Sequence, residues 1–234
     1  MSQYPDIKIY NHIKATQMTY FENDKELFFF IQRHLYVASV CDILDEMGYR
    51  HQAMHQRLRP LLTDIKNCGF TGRARTLHWV ETDTISEDDP YGLEIEAMDS
   101  LKAGDVVVHS TDYKGTNAPW GELMSTIAKN KGVTGCVCDS QIRDCVKIME
   151  MNFPVYYAGI RPLDSKGRGV VIEYDVPVHC GEVLVNPGDL IYSDFDGIVV
   201  VPKEIELEVF HLAKEKVENE NHSRRELIEG KSLR

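Results

Sequence analysis

The 234-residue sequence contains no stretch near the roughly 20 consecutive apolar residues that cross a bilayer. Its longest apolar cluster near the start, Leu27 to Ile31, runs straight into Gln32, Arg33 and His34. No basic start leads into an apolar stretch and a small-residue cleavage site. The expectation is therefore no membrane partner, no secretory signal and a cytoplasmic location. Positive charge is in deficit: 26 Lys and Arg stand against 37 Asp and Glu, a net charge of −11. Phosphate backbones repel such a chain, so a general nucleic-acid binder is not expected. A small anionic substrate is not excluded, because one Arg and a few helix-end amides suffice to hold a carboxylate. Among six cysteines there is no Cys-x-x-Cys pair. Cys136 and Cys138 lie two apart in an apolar run, on one face of a strand, and read as small buried core residues of a reducing compartment rather than zinc ligands. No Gly-x-Gly-x-x-Gly loop follows a strand, which leaves a nucleotide-type methyltransferase reading without its phosphate cradle. Internal repeats and low-complexity linkers are also missing, so one domain is expected.

What is present is a rhythm. Residues 1–25 read as a polar N-terminal extension. Glu26 to Met47 carries apolar residues at helical spacing, and Gly48 reads as its stop. Phe70 to Thr82 reads as a strand, the acidic run Ser86-Glu87-Asp88-Asp89-Pro90 as a loop or helix start, and Tyr91 to Leu101 as a helix. Then strands Val106–His109, Val133–Cys138 and Val155–Ala158 alternate with helices Glu122–Asn130 and Cys145–Met151, the pattern of parallel βαβ units. Short strands follow between Gly, Pro and Asp turns: Val170–Glu173, Val176–His179, Val183–Val185, Leu190–Ser193 and Ile198–Val201. Lys203 to Glu229 closes the chain as a long charged helix. The fold class is α/β, a single compact domain over 26–234 with a helix at each end.

Two segments carry chemistry: Trp120-Gly121-Glu122-Leu123-Met124 and Asp139-Ser140-Gln141-Ile142-Arg143-Asp144. Each lies where a strand gives way to a helix. At that edge of an α/β sheet the unpaired helix-start amides form the usual ligand crevice. Arg143 offers a fixed fork of donors to a planar carboxylate and an adjacent keto oxygen. Asp144 is a hard oxygen ligand of the kind Mg²⁺ or Mn²⁺ takes together with waters. Glu122 is placed to orient a water or receive a proton. On spacing alone, a capping Asp beside a solvated Arg explains the same pair, and both readings stand at this point. His109 at a strand end is either a substrate contact or a satisfied core-edge histidine. Trp120 is either a pocket wall or ordinary packing. Asp194 and Asp196 read as turn residues.

From Val37 to Ser232 the sequence resembles the RraA-like family, which includes class II 4-hydroxy-4-methyl-2-oxoglutarate aldolases, oxaloacetate decarboxylases and RraA regulators of ribonuclease E. The aldolase signature, Gly then Asp or Glu, twenty residues, then Arg-Asp, stands here as Gly121-Glu122 and Arg143-Asp144. Further stretches in order are Cys41-Asp42-Ile43-Leu44, Gly69-Phe70-Thr71-Gly72-Arg73-Ala74-Arg75-Thr76, Ala103-Gly104-Asp105-Val106-Val107-Val108, Asn152-Phe153-Pro154-Val155, Pro187-Gly188-Asp189-Leu190 and Asp194-Phe195-Asp196-Gly197-Ile198. The resemblance implies a swivelling β/β/α domain assembled as a homotrimer or a dimer of trimers. It implies a 2-keto acid substrate held by Arg143 and the backbone of Gly121, Glu122, Leu123 and Met124. It implies a divalent cation, Mg²⁺ or Mn²⁺, on Asp144, and an acidic side chain from a neighbouring subunit's last helix, with Glu218 and Glu220 as candidates. The strand ending Val108-His109-Ser110 departs from relatives, where Asp often stands at its end.

The expected reaction is retro-aldol cleavage or decarboxylation to pyruvate, with Arg143 and Glu122 as catalytic residues and a metal-bound or Glu122-positioned water as base. The alternative implied by the same family is a non-catalytic regulator of ribonuclease activity that works through an outer surface.

Overall fold

The computed structural model describes residues 21–85, 90–111, 115–230 and 232, apart from the side chain of His222. Thr71–Glu81 (β2) is the strand from which the molecule is built out. Asp105–Ser110 (β3), Gly135–Ile142 (β4) and Val155–Ile160 (β5) follow it in parallel register across the sheet. The crossovers carry Glu94–Asp99 (α3), Glu122–Asn130 (α4) and Cys145–Glu150 (α5), so the expected βαβ rhythm is the observed one. On the other side of β2 the sheet turns antiparallel. Leu190–Asp194 (β9) pairs with the start of β2, and Gly197–Val201 (β10) closes a hairpin with β9. Gly169–Tyr174 (β6) pairs with the far end of β2. A two-residue strand, Arg59–Pro60 (β1), flanks β5, and Val178–Cys180 (β7) with Val183–Val185 (β8) forms a separate hairpin. The main sheet order is β1-β5-β4-β3-β2-β9-β10, with β6 off that path.

Strands β3 and β4 are buried on both faces, as parallel strands under crossover helices must be. Cys136 and Cys138 point into the core beneath α3, α4 and α5, while Val137 between them points into the opposite core, against Val106 and Val108. All six cysteines are free thiols, and burial pushes the Cys136 and Cys138 thiols well up from their ordinary value. Both observations fit the reading of the cysteines as packing residues. A third core lies under Asp24–His34 (α1), Val37–Glu46 (α2) and Glu206–Ile228 (α6), where Leu190, Tyr192, Val199 and Val201 meet Phe210 and Ile31.

Three sequence expectations are corrected here. The single helix Glu26–Met47 is two helices, α1 and α2, bent by 102° at Leu35-Tyr36. The break is made by polar side chains: Ser39 Oγ donates to Tyr36 O at 2.7 Å, and Val37 N–H donates to Asp194 Oδ2 at 2.8 Å. Apolar spacing does not encode such caps. Helix α1 also begins at Asp24, inside the expected extension 1–25, of which residues 1–20 lie outside the described residues. Strand β4, expected to end at Cys138, continues to Ile142 through an irregularity between Cys138 and Gln141. Asp139 at that irregularity is held by Arg57 through two bonds of 2.8 and 2.7 Å and by the Gly181 amide at 2.8 Å. Its role is to fasten the strand. Among the described residues no single helix is long and apolar enough to cross a membrane.

Candidate active site

The end of β4 delivers Arg143 and Asp144, and the turn into α4 delivers Gly121 to Met124. A bridge between Trp120 and Ile142 and the bond from Arg143 N–H to Trp120 O, 3.0 Å, lock the two turns side by side. Gly121 is required by closeness: a Cβ there would lie 2.7 Å from Asp144 Oδ2 and 3.2 Å from Arg143 Cγ. Asp144 adopts the left-handed conformation, φ 57° and ψ 31°, a costly backbone that cores do not adopt without a reason. Its carboxylate does not cap its own helix α5. It turns back and accepts the Glu122 amide of α4 at 3.2 Å. Asp144 therefore caps the start of the neighbouring helix α4 and not its own.

Arg143 Nε stands 3.6 Å from Asp144 Oδ2, and Arg143 Nη2 stands 3.2 Å from Asp164 Oδ1. Asp164 is in turn placed by the Ser165 amide at 2.8 Å and by the bridge it forms with Ala118. The Tyr91 hydroxyl reaches Asp164 Oδ2 at 3.5 Å, and its phenol is pushed up, first by burial and then by the Asp164 charge. The guanidinium is one-third exposed at 33 %, held on one edge and open on the rest. Arg143, Asp144, Glu122, Leu123, Met124 and Asp164 share one cavity of about 770 Å³. Glu122 keeps its carboxylate near α4, where Thr126 Oγ1 donates to it at 3.4 Å. Leu123 is 68 % exposed, and Met124 packs inward against the core.

The expected site residues Gly121, Glu122, Leu123, Met124, Arg143 and Asp144 are thus brought together. Trp120 is not a wall of the cavity: it is fully buried, stacks on Phe153 with ring centroids 6.4 Å apart, and donates from Nε1 to Ser125 Oγ at 2.9 Å. Ser125 Oγ passes the bond on to Gly121 O at 2.9 Å, so Trp120 braces the turn from behind. Glu218 and Glu220 are engaged elsewhere on their own chain, Glu218 with Lys214 at 3.8 Å and Glu220 with the Tyr36 hydroxyl. Asp194 accepts the Asp196 amide at 2.9 Å as a turn residue and also caps α2. Sequence reasoning missed Asp164, Tyr91 and Glu94, all lining the cavity; none belongs to a motif, and each arrives from a different loop or helix.

Among the described residues no three Asp, Glu, His or Cys side chains converge into a cation cage. The donor set nonetheless fits a hard divalent ion. Asp144 is 44 % exposed toward the cavity, and Mg²⁺ commonly takes one or two carboxylates, with waters and substrate oxygens completing its shell.

The Aldolase/RraA family model matches residues 37–200. The chain belongs to the RraA-like family. Within this RraA-like chain, 151 residues are 34 % identical to a Halalkalibacterium halodurans protein named "Putative 4-hydroxy-4-methyl-2-oxoglutarate aldolase", spanning 64 % of this chain and 68 % of that one. Among solved structures, one described as novel cellulases from microbes associated with the gut ecosystem is 30 % identical, with a TM-score of 0.80 over 88 % of this chain and 90 % of the other. Streptomyces coelicolor RraAS2, described as an unusual member of the RNase ES inhibitor RraA protein family, is 29 % identical, with a TM-score of 0.75 over 88 % of this chain and 99 % of that one. The RraA-like α/β fold expected from sequence is the fold observed.

Proposed function

We propose that this RraA-like chain is a divalent-metal-dependent carbon–carbon lyase, a class II pyruvate aldolase or oxaloacetate decarboxylase. Its substrates are 2-keto acids such as 4-hydroxy-4-methyl-2-oxoglutarate or oxaloacetate, and its product is pyruvate. The observation that carries this reading is the guanidinium of Arg143 beside the carboxylate of Asp144 at the Gly121 turn, both facing one cavity. The name of the H. halodurans relative supports it.

In this reading the open side of the Arg143 fork takes the substrate carboxylate and the 2-keto oxygen. The next amides of α4, those of Leu123 and Met124, add donors on the same side, while the Glu122 amide is taken by Asp144. Mg²⁺ or Mn²⁺ held by Asp144 supplies Lewis-acid stabilisation of negative charge on the keto acid oxygens. A water positioned by Glu122 takes the proton of the 4-hydroxyl. The C3–C4 bond then breaks, and its electron pair passes through C3 into the keto group. The resulting pyruvate enolate lies against Arg143, and a proton added at C3 completes pyruvate. With oxaloacetate, CO₂ leaves and the same enolate forms.

The test is pyruvate release from a panel of 2-keto acids with Mg²⁺ or Mn²⁺. Arg143→Ala is expected to lose on the order of 10²–10³ in kcat or more, the scale of removing one charge-stabilising donor, with an unchanged circular dichroism spectrum. Normal turnover in that variant, or no turnover of any panel member by the wild type, overturns the reading. The likeness to RraAS2 favours one alternative, a regulator of a ribonuclease. Metal-independent ribonuclease inhibition that survives Arg143→Ala, without pyruvate release, would establish it. The proposal includes self-assembly as a trimer or hexamer, checked by light-scattering mass; a monomer with full turnover removes that part.

A further inference from the structure

We propose that Glu94 is the group that exchanges a proton with C3 of the bound keto acid, and that His109 behind it is its positioning residue. This rests on the lyase reading and assigns it an acid–base group that no signature motif contains.

Glu94 opens α3 and lines the same cavity as Arg143. Its side chain is 5 % exposed, against 44 % for Asp144 and 34 % for Asp164, so it is far the more enclosed carboxylate. Behind it, on β3, His109 is fully buried, with Nε2 3.9 Å from Glu94 Oε1. That distance is too long for a hydrogen bond, and neither ring nitrogen of His109 has a hydrogen-bond partner among the described residues. A buried structural pair saturates its bonds, as Arg57 and Asp139 do in this same molecule. His109 is buried with neither ring nitrogen bonded, and the Glu94 carboxylate it faces is on the cavity wall. An enclosed carboxylate on the cavity wall, backed by a buried imidazole with unused bonding capacity, is placed to exchange a proton with a bound ligand.

The other acids of the cavity have other duties. Asp164 is committed to Arg143, Asp144 to the α4 amide, and Glu122 stands at the helix start bonded to Thr126. The proposed step balances in both directions. The Glu94 carboxylate accepts one methyl proton of pyruvate; the C–H electron pair becomes the C2–C3 π bond, and the keto oxygen takes the negative charge. In reverse, the Glu94 carboxyl returns the proton to C3, and the π pair forms the new C–H bond.

Exchange of the pyruvate methyl protons in D₂O, followed by proton NMR with the full chain and Mg²⁺, reads this step directly, and calorimetric titration with oxalate reads binding of an enolate-like dianion. Wild type is expected to exchange. Glu94→Gln is expected to exchange on the order of a hundredfold more slowly, the scale of a lost general base, while binding oxalate as the wild type does. Glu94→Asp is expected to recover part of the rate. His109→Leu is expected to slow exchange on the order of tenfold with oxalate affinity unchanged. Wild-type exchange in Glu94→Gln overturns the assignment, as does loss of oxalate binding in step with loss of exchange, which makes Glu94 structural. Wild-type exchange in His109→Leu overturns the part given to His109. A wild type that releases pyruvate from oxaloacetate while Glu94→Gln exchanges normally removes this inference alone, whereas a wild type inert in both assays removes the lyase reading with it.

Discussion

A methyl group at position 121 would meet Asp144 Oδ2 at 2.7 Å and Arg143 Cγ at 3.2 Å. The backbone of Gly121 is extended, φ −153°, which any residue adopts, so the demand there is for space. Gly121→Ala is accordingly expected to fold and to push the guanidinium and carboxylate off their common target. A displacement of about 1 Å at a reacting centre costs roughly a hundredfold, and kcat/KM for the keto acid should fall by about that factor while the thermal midpoint stays near that of the wild type. Asp164 acts on the same guanidinium from the other edge, 3.2 Å away. Asp164→Ala frees the fork to wander; a KM roughly tenfold higher, with a smaller change in kcat, is the expected split in steady-state kinetics. Gly121, Arg143 and Asp144 were legible in the sequence through the Gly-Glu, twenty residues, Arg-Asp signature; their place at helix starts after strands, taken alone, left a capping Asp beside a solvated Arg equally open. Asp164 was not legible. Its pairing depends on the Ala118–Asp164 bridge and on Ala118 N–H donating to Leu163 O at 2.8 Å, contacts between segments far apart in the chain.

Gly169 on β6 shows the same demand for space at the level of an element. A Cβ there would lie 1.4 Å from Trp79 Cζ2 on β2, inside the ring. Trp79 is 3 % exposed and belongs to the core under α3 to α5, so it has little room to retreat. Gly169→Ala is expected to lower stability by about 3 kcal/mol, the upper part of the usual range for overpacking. The check is a lower urea midpoint at unchanged slope, since the surface exposed on unfolding stays the same. At this scale the βαβ units read correctly because two-sided burial leaves apolar runs such as Val106-Val107-Val108 that no surface strand shows. The junction of α1 and α2 did not. Phe30, Ile31, Leu35 and Val40 fall near helical spacing across a 102° bend, because both helices bury their apolar stripes in one core. What distinguishes a bend from a straight helix there is the Asp194 carboxylate on the Val37 amide, supplied from 157 residues away.

Across the whole molecule, α1, the sheet and α6 are joined through Arg73. Its Nε donates to Asp24 Oδ2 at 2.9 Å and its Nη2 to Glu206 Oε1 at 2.9 Å, with the guanidinium over the Phe28 ring at 5.8 Å. The two carboxylates are not equal. Glu206 is 10 % exposed and Asp24 is 50 % exposed, so water screens the second much more than the first. Arg73→Ala leaves Glu206 buried without its cation, and about 3 kcal/mol of stability should be lost. Asp24→Asn touches the screened partner and should cost about 0.5 kcal/mol. The two losses differ in their pH dependence as well as in size. The Arg73 hydrogen bond holds the Asp24 carboxyl below its ordinary 3.8, against the burial that raises it. A carboxyl lowered on folding stabilises the native state above its unfolded value and loses that contribution as pH falls through the folded one. The difference in unfolding free energy between wild type and Asp24→Asn should therefore be constant from neutral pH down to about pH 5, shrink as pH falls past the ordinary 3.8, where the unfolded carboxyl protonates, and vanish only below the lower folded value. Urea titrations of both proteins at a series of pH values measure it. A gap that persists unchanged at pH 3 would mean that Asp24 stabilises the junction through packing, and that charge is not what ties α1 to the sheet.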